Sequence, residues 1–457
     1  MMNKVQDFTN ILQRRKNLFQ KINFPVILWS GSSISRNFPA NLFPFRANSH
    51  FLYLAGIPLE NAAILLDNHQ LTLFMDDPHP NSALWHGESP KCSDFAAQIG
   101  ADNYFPLSEL KKYSNNAATI AVGDLLTYNQ QCEILNRKIL PAFKSEGIDL
   151  ELAQAIVSLR LSHDQAAINQ LKQSANVSIE AHKVGMSIVS GARTEAEVRA
   201  AIESIIIAEN MTCAYNSIVT VQGEVLHNNN YNNILNSGDL LLADVGAENQ
   251  LGWAADITRT YPVSGQFSAT QRDIYDLVLL AHDTCINQIT PGVEYQDIHL
   301  SACQVITSGL IDLGILKGNI QDLVEMDAHA LFFPHGIGHL LGLDVHDMED
   351  LGDLAGYAEG RKRSERFGLC YLRLNRPLQS GMLITIEPGF YQVPAILNDP
   401  KNREKYQDVV NWEQLEKFAD VRGIRIEDDV LVTDSGYEIL TQDLPNKAEE
   451  VENLVNN

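Results

Sequence analysis

Apolar residues recur along the chain with two different periods. Near the amino terminus, Val5, Phe8, Ile11, Leu12, Leu18 and Phe19 lie close to helical spacing, with Arg14, Arg15 and Lys16 opposite them, which predicts an amphipathic helix. "FPVILW" then reads as a strand, and "NAAILLDNHQLTLFMDD" as a hairpin turning near Asn68 and His69. "ATIAVGD" predicts a further short strand. Helical patterns take over around residues 150–160. Ser162, Thr194 and Ser268 each precede a Gln or Glu by three residues, the spacing of a capping box, and so mark three helix starts. The third helix should stop by Thr290-Pro291-Gly292. A small α/β domain over residues 1–155 and a second domain over 156–457 are therefore expected.

The later strands break the usual pattern. "GDLLLADVGAENQLGWAADITRTYPV", "GMLITIEPGFY" and "RGIRIEDDVLVTDSGYEIL" are β patterns that carry acids where a core strand keeps apolar residues. Such local conflict marks functional ground. A hairpin turn near Gln250 would set Asp244 directly opposite Asp256, on one sheet face with Cβ atoms about 4.5–5.5 Å apart. Two carboxylates so close repel unless one is protonated or a cation lies between them. Glu387 ends an apolar strand just before Pro388-Gly389. Arg425 and Glu427 share one strand face while Ile424 and Ile426 point to the other.

Composition and charge narrow the reading. At 457 residues and 45% hydrophobic, the chain can bury one large core or two smaller ones. Its net charge of −23 repels phosphate backbones and anionic lipid, so neither nucleic acid nor membrane is the expected partner. No run approaches the roughly 18 apolar residues of a membrane-spanning helix. The six cysteines contain no C-x-x-C pair and read as reduced thiols, which points to a cytoplasmic protein.

The densest chemical signal is "FPHGIGHLLGLDVHD", where His335, His339 and His346 are interleaved with glycines. The glycines argue against a regular helix, and no Glu follows the first His, so this is not H-E-x-x-H. Asp244, Asp256, Glu387 and Glu427 supply four negative charges, which two divalent cations would balance. Oxygen donors with one imidazole suit Mn²⁺, Co²⁺ or Zn²⁺. Two such ions about 3.5–4 Å apart lower the pKa of a shared water and clamp a carbonyl oxygen, which is hydrolytic chemistry.

The ordered set Asp244, Asp256, His339, Glu387, Glu427 resembles the dinuclear metallopeptidases of the pita-bread fold, among them methionine aminopeptidase, aminopeptidase P and prolidase. "FRANSHFLYLAGI" and "ALWHG" resemble the amino-terminal domain of aminopeptidase P and prolidase, and "VLHNNN", "TIEPGFY" and "GIRIEDD" follow in the family's order. The resemblance implies an α/β creatinase/aminopeptidase P-like domain ahead of a pita-bread catalytic domain. It implies two metal ions, Mn²⁺ first, with Asp244 and Glu427 shared between them, Asp256 on one, and His339 with Glu387 on the other.

Glu387 would also move the proton of the attacking water. His346 would stabilise the oxyanion, His227 would stand near the scissile carbonyl, and His335 would line the proline pocket. Arg425 and Tyr391 would hold these groups in place. The implied substrate is a peptide with proline second. Arg373, in "CYLRLNRPLQSG", resembles a prolidase arginine that could grip a dipeptide carboxylate in bidentate fashion. Trp85 resembles a tryptophan lent by a neighbouring subunit, implying a homodimer or homotetramer. His50 departs from the family, standing where aminopeptidase P members often carry an acid. An Xaa-Pro aminopeptidase and an Xaa-Pro dipeptidase both fit. A metal-free creatinase-like hydrolase or a non-catalytic binding protein would not need all five donors.

Overall fold

A computed structural model describes residues 9–457 and divides them into two compact units. The first gathers the chain up to Ala166 with two later pieces, Gln250–Gly252 and Met348–Ala355; the second holds the remainder. Both mix helices and strands, as an α/β domain followed by a pita-bread domain requires.

In the first unit, β1 (Val26–Trp29), β2 (Ala63–Asp67), β3 (Gln70–Phe74) and β4 (Asn103–Phe105) form one sheet in that order. The β2–β3 hairpin pairs Asp67 with Gln70, and Asn68 and His69 at its tip take positive φ. That is the geometry a two-residue primed turn needs. Ile27, Trp29, Leu65 and Phe74 form the core beneath. "ATIAVGD" is not a strand: it pairs with the sheet through a single bridge from Ala118 to Val26, and Val122 packs in the core beneath. Instead, Gln131 and Asp149 side chains take its backbone amides at Val122 and Thr119. The amino-terminal helix runs Thr9–Phe19, so Val5 and Phe8 lie outside the described residues. Arg14 and Arg15 are buried there rather than turned to solvent, and Arg14 grips Asp164 through two bonds. His50 is buried too, between the guanidinium of Arg160 and the carboxylate of Asp350.

The second unit opens on a long helix, Gln165–Ile188, which starts two residues later than a cap at Ser162 requires. The other two capping expectations hold. Thr194 accepts from the Glu197 amide at the head of Glu195–Ala208, and Ser268 and Gln271 complete a reciprocal box on Ala269–Ile286. That helix packs against Tyr295–Asp312 so closely that a Cβ on Gly309 would come within 2.2 Å of Leu277.

Nine further strands follow the short β5 (Thr212–Cys213): β6 (Ile218–Thr220), β7 (Leu240–Asp244), β8 (Ala247–Glu248), β9 (Thr258–Pro262), β10 (Leu383–Ile386), β11 (Gly389–Tyr391), β12 (Gly423–Arg425), β13 (Asp428–Thr433) and β14 (Gly436–Ile439). β6, β7 and β9 form one ladder, and β10, β13 and β14 another. A bridge from Thr258 to Glu427 joins them. Among the described residues no helix is long and apolar enough to cross a membrane.

Candidate metal centre

Two antiparallel pairs present the four acids. The β7–β9 hairpin turns at Leu251 rather than Gln250, closed by a bond from the Asn249 amide to the Trp253 carbonyl. Asp244 therefore pairs with Thr258, not with Asp256. The shift is two residues in the partner, and side chains alternate with a period of two, so Asp256 stays on the same face. Gly246 lets the strands close: a Cβ there would lie 1.7 Å from the Ala255 carbonyl oxygen. On the other pair, β10 and β13 match Ile386 with Asp428, and β11 and β12 match Gly389 with Arg425. The shared register brings Glu387 level with Glu427 between the two short ladders. Arg259, fully buried, ties the pairs together by donating to the Glu427 carbonyl at 2.7 Å and to Asp428 at 2.8 Å.

The histidine run is extended, as its glycines predict. It lies along β10, with Leu340 bridged to Ile384, the Thr385 amide on the His339 carbonyl and the Glu387 amide on Ile337. His339 is thereby set beside the acids. Its Nε2 stands 3.4 Å from an Asp256 oxygen and 3.6 Å from a Glu387 oxygen. Donor atoms of Asp256, His339 and Glu427 all lie within 4.8 Å of one another. Arg425 Nη2 holds Asp244 at 2.5 Å, and the ring of His346 meets that of His339 edge-on at 4.3 Å.

Burial of this much negative charge has electrostatic consequences. Desolvation, reinforced by Asp244, pushes the Asp256 carboxyl up to about 7, and desolvation raises Glu387 to about 7 as well. Glu427 and Asp429 are driven well above the usual carboxylate range by burial and by Asp256. Asp256 and Glu387 hold protons up to near neutral pH because each charged form is desolvated beside other acids. Divalent cations in place of those protons would satisfy the same oxygens. Hard carboxylate donors plus one imidazole are the ligand set such ions take, so the residues fit a metal centre.

A hydrogen-bonded chain flanks the cluster. Arg425 Nη1 donates to the Tyr391 hydroxyl at 3.0 Å, and Tyr391 donates to His335 Nε2 at 2.8 Å. His335 Nδ1 then donates to the Gly336 carbonyl. Burial and the Arg425 charge lower His335 to about 3, so it stays neutral and serves as the acceptor of that chain. His227 is also lowered, chiefly by desolvation and then by Arg425; Asp244, Arg373 and His346 act on it too. The charge of Arg373 reaches both His227 and His335. The eleven predicted side chains from His227 to Glu427, Arg373 among them, thus belong to one unit. Trp85 belongs to the other, exposed at 77% on the short helix Ala83–His86.

Two further contributors do not stand out in the sequence. The Tyr215 hydroxyl lies 2.5 Å from Asp244 Oδ1 and makes an equally short contact with Asp256. Its single proton serves one of the two at a time. Thr258 links Arg425 to Glu427, accepting from the first at 3.0 Å and donating to the second at 2.7 Å. The position of Thr258, two residues beyond Asp256 on the same strand face, was the available clue.

An α/β unit followed by paired acidic hairpins around one histidine defines a metal-dependent hydrolase of the pita-bread class. Comparison with known proteins gives the family. Residues 169–434 match the model of metallopeptidase family M24, and residues 11–122 that of the aminopeptidase P N-terminal domain. The chain is 32% identical to the Xaa-Pro aminopeptidase of Haemophilus influenzae, over 97% of this chain and 96% of that protein. The structure of Pseudomonas aeruginosa aminopeptidase PepP superposes with a TM-score of 0.80 at 28% identity, covering 98% of both chains. Aminopeptidase P from E. coli with the inhibitor Pro-Leu gives 0.79 at 26% identity, covering 100% of this chain and 99% of that one. A Zn-substituted form of the E. coli enzyme in complex with product gives 0.77. The chain belongs to metallopeptidase family M24, in the branch that carries an aminopeptidase P N-terminal domain.

Proposed function

We propose that this chain is an Xaa-Pro aminopeptidase, hydrolysing the bond between an amino-terminal residue and a following proline. The observation that carries the reading is the gathering of Asp256, His339 and Glu427 donor atoms within 4.8 Å of one another, with Glu387 beside His339 and Asp244 joined to Asp256 through the Tyr215 hydroxyl. Relatives named for this activity match along nearly the whole chain. Two divalent ions, Mn²⁺ before Co²⁺ or Zn²⁺, balance the four carboxylates. When bound they make water acidic enough to attack at neutral pH and polarise the scissile carbonyl.

The protein's own groups do the rest. Glu387 takes a proton from the attacking water and returns it to the proline nitrogen as the C–N bond breaks, leaving a secondary amine. His346 donates to the carbonyl oxygen as negative charge develops there, and His227 orients that carbonyl. Arg425 fixes Asp244, and burial together with its charge keeps His335 neutral, so the pocket wall presents an uncharged imidazole to the proline ring. Proline has no amide N–H, and such a wall leaves no donor unpaired. Cys285, pushed up to about 12 by burial, is an unreactive core thiol, and the six cysteines are all unpaired, which supports a reducing, cytoplasmic setting.

An Xaa-Pro dipeptidase is favoured by one observation, the positive charge of Arg373 acting on His227 and His335. Hydrolysis of an Xaa-Pro dipeptide beside an Xaa-Pro-Xaa tripeptide by the Mn²⁺-loaded protein separates the two. Tripeptide cleavage is expected. If Arg373 reads a dipeptide carboxylate, Arg373→Ala cripples dipeptide cleavage far more than tripeptide cleavage, and equal losses remove that role.

A further inference from the structure

Beside the acidic cluster lies an open cavity of about 580 Å³, lined by Arg199, Glu203, Cys213, Tyr215, Asn216 and Ser217. We propose that it receives the side chain of the substrate's amino-terminal residue, and that Arg199 and Glu203 together select a side chain ending in a carboxamide, glutamine or asparagine. The inference rests on the peptidase reading and adds a specificity to it.

Placement comes first. Tyr215 forms part of the cavity wall while its hydroxyl touches Asp244 and Asp256. The single side chain of Tyr215 therefore links the cavity to the carboxylates around which the scissile bond would sit. The first side chain that can enter it is that of the residue ahead of that bond.

The chemistry of the wall then sets the preference. Arg199 and Glu203 stand one turn apart on the helix Glu195–Ala208, and Arg199 Nε donates to Glu203 Oε1 at 2.6 Å. Ser217 Oγ donates to the same oxygen at 2.7 Å. The guanidinium lies 4.2 Å over the ring of Tyr231, whose hydroxyl is fixed on the Ser217 carbonyl at 2.6 Å. Nε and Oε1 are thus committed, and both side chains are held in place before any ligand arrives, which lowers the entropic cost of binding. Both Nη groups of Arg199 and Oε2 of Glu203 make no hydrogen bond among the described residues. The wall offers donors and an acceptor side by side, with no net charge. Burial raises the Cys213 thiol, so it adds no charge of its own.

A carboxamide answers both groups at once: its oxygen accepts from Nη and its nitrogen donates to Oε2. A carboxylate would satisfy Arg199 but face a second anionic oxygen. An ammonium would do the reverse, and a thioether or alkyl chain would leave both partners unmet.

The test is a panel of Gln-Pro-Ala, Glu-Pro-Ala, Lys-Pro-Ala and Met-Pro-Ala, four side chains of similar reach, with the Mn²⁺-loaded protein. Gln-Pro-Ala is expected to lead in kcat/KM by about tenfold, the worth of one well-made hydrogen-bonded pair. Glu203→Gln should shift the preference toward Glu-Pro-Ala, and Arg199→Gln toward Lys-Pro-Ala. Calorimetric affinities of the four peptides for the Glu387→Gln variant should fall in the same order as the native kcat/KM values. Cleavage of Met-Pro-Ala as fast as Gln-Pro-Ala overturns the proposal and leaves the peptidase reading standing. So does an order that neither substitution alters. No cleavage of any of the four peptides overturns both.

Discussion

At the residue scale, the site was legible wherever a side chain was out of keeping with its surroundings. Asp244 and Glu387 sit at the ends of apolar strands, Asp256 and Glu427 lie in β patterns beside buried apolar residues such as Ile257 and Ile426, and His339 sits among glycines, so each stood out. Tyr215 and Thr258 did not, because a tyrosine in a polar loop and a threonine in a strand are ordinary there. Only folding brings the Tyr215 hydroxyl between two carboxylates. The same crowding yields a pH dependence. In the metal-free protein Asp256 and Glu387 keep their protons up to about pH 7, against about 4 in an unfolded chain. The folded state then binds more protons than the unfolded state across that window. The contribution of these groups to stability is therefore full below about pH 4 and lost as pH rises through 7. Divalent metal binds the deprotonated carboxylates and should cancel the loss. The gap in melting temperature between Mn²⁺-loaded and metal-free protein is expected to widen from about pH 5 to about pH 8. A gap independent of pH would contradict the assignment of these two acids.

At the element scale, hairpins with a turn signal were read correctly and registers were not. Asn68 and His69 mark their turn because both take positive φ. At the β7–β9 tip, the sequence Asn249-Gln250-Leu251-Gly252 permits more than one turn centre, and the observed one moves the partner of Asp244 by two residues. The functional reading survived because a slip of two preserves the face, whereas a slip of one would have turned Asp256 away from Asp244. "ATIAVGD" shows the opposite failure: its β pattern was sound, but Gln131 and Asp149 take the amides a neighbouring strand would have used. The acidic hairpin depends on strand approach at Gly246. Gly246→Ala places a methyl group against the Ala255 carbonyl, and overpacking of this kind costs about 1–3 kcal/mol. Because Asp244 and Asp256 flank that contact, the variant should lose metal affinity as well as stability. Mn²⁺ titration followed by calorimetry, with a melting curve alongside, checks this. A variant that binds metal as the native chain does would show that the strand approach at Gly246 does not set the carboxylate spacing.

At the scale of the whole molecule, charge and apolar exposure act against each other. The chain carries a net charge of −23, so copies of it repel. Yet its first unit exposes Ile34, Phe38, Phe43, Leu84, Trp85, Leu125 and Leu126 to solvent, Trp85 at 77% and Leu84 at 78%. So many large apolar side chains left in solvent on one unit are what an association surface would use, in keeping with the homodimer or homotetramer that the family resemblance implies. If assembly buries these side chains between like-charged subunits, it should strengthen with ionic strength, because salt shortens the Debye length from about 30 Å at 0.01 M to about 8 Å at 0.15 M. An association held by surface ion pairs would weaken over the same range. Light scattering across that range is expected to show the subunit mass number rising with salt. Trp85→Ala should shift the midpoint to higher salt and lower peptide turnover in step with the loss of assembly. A monomer at every ionic strength, or full activity in a monomeric Trp85→Ala variant, would detach Trp85 from both assembly and catalysis.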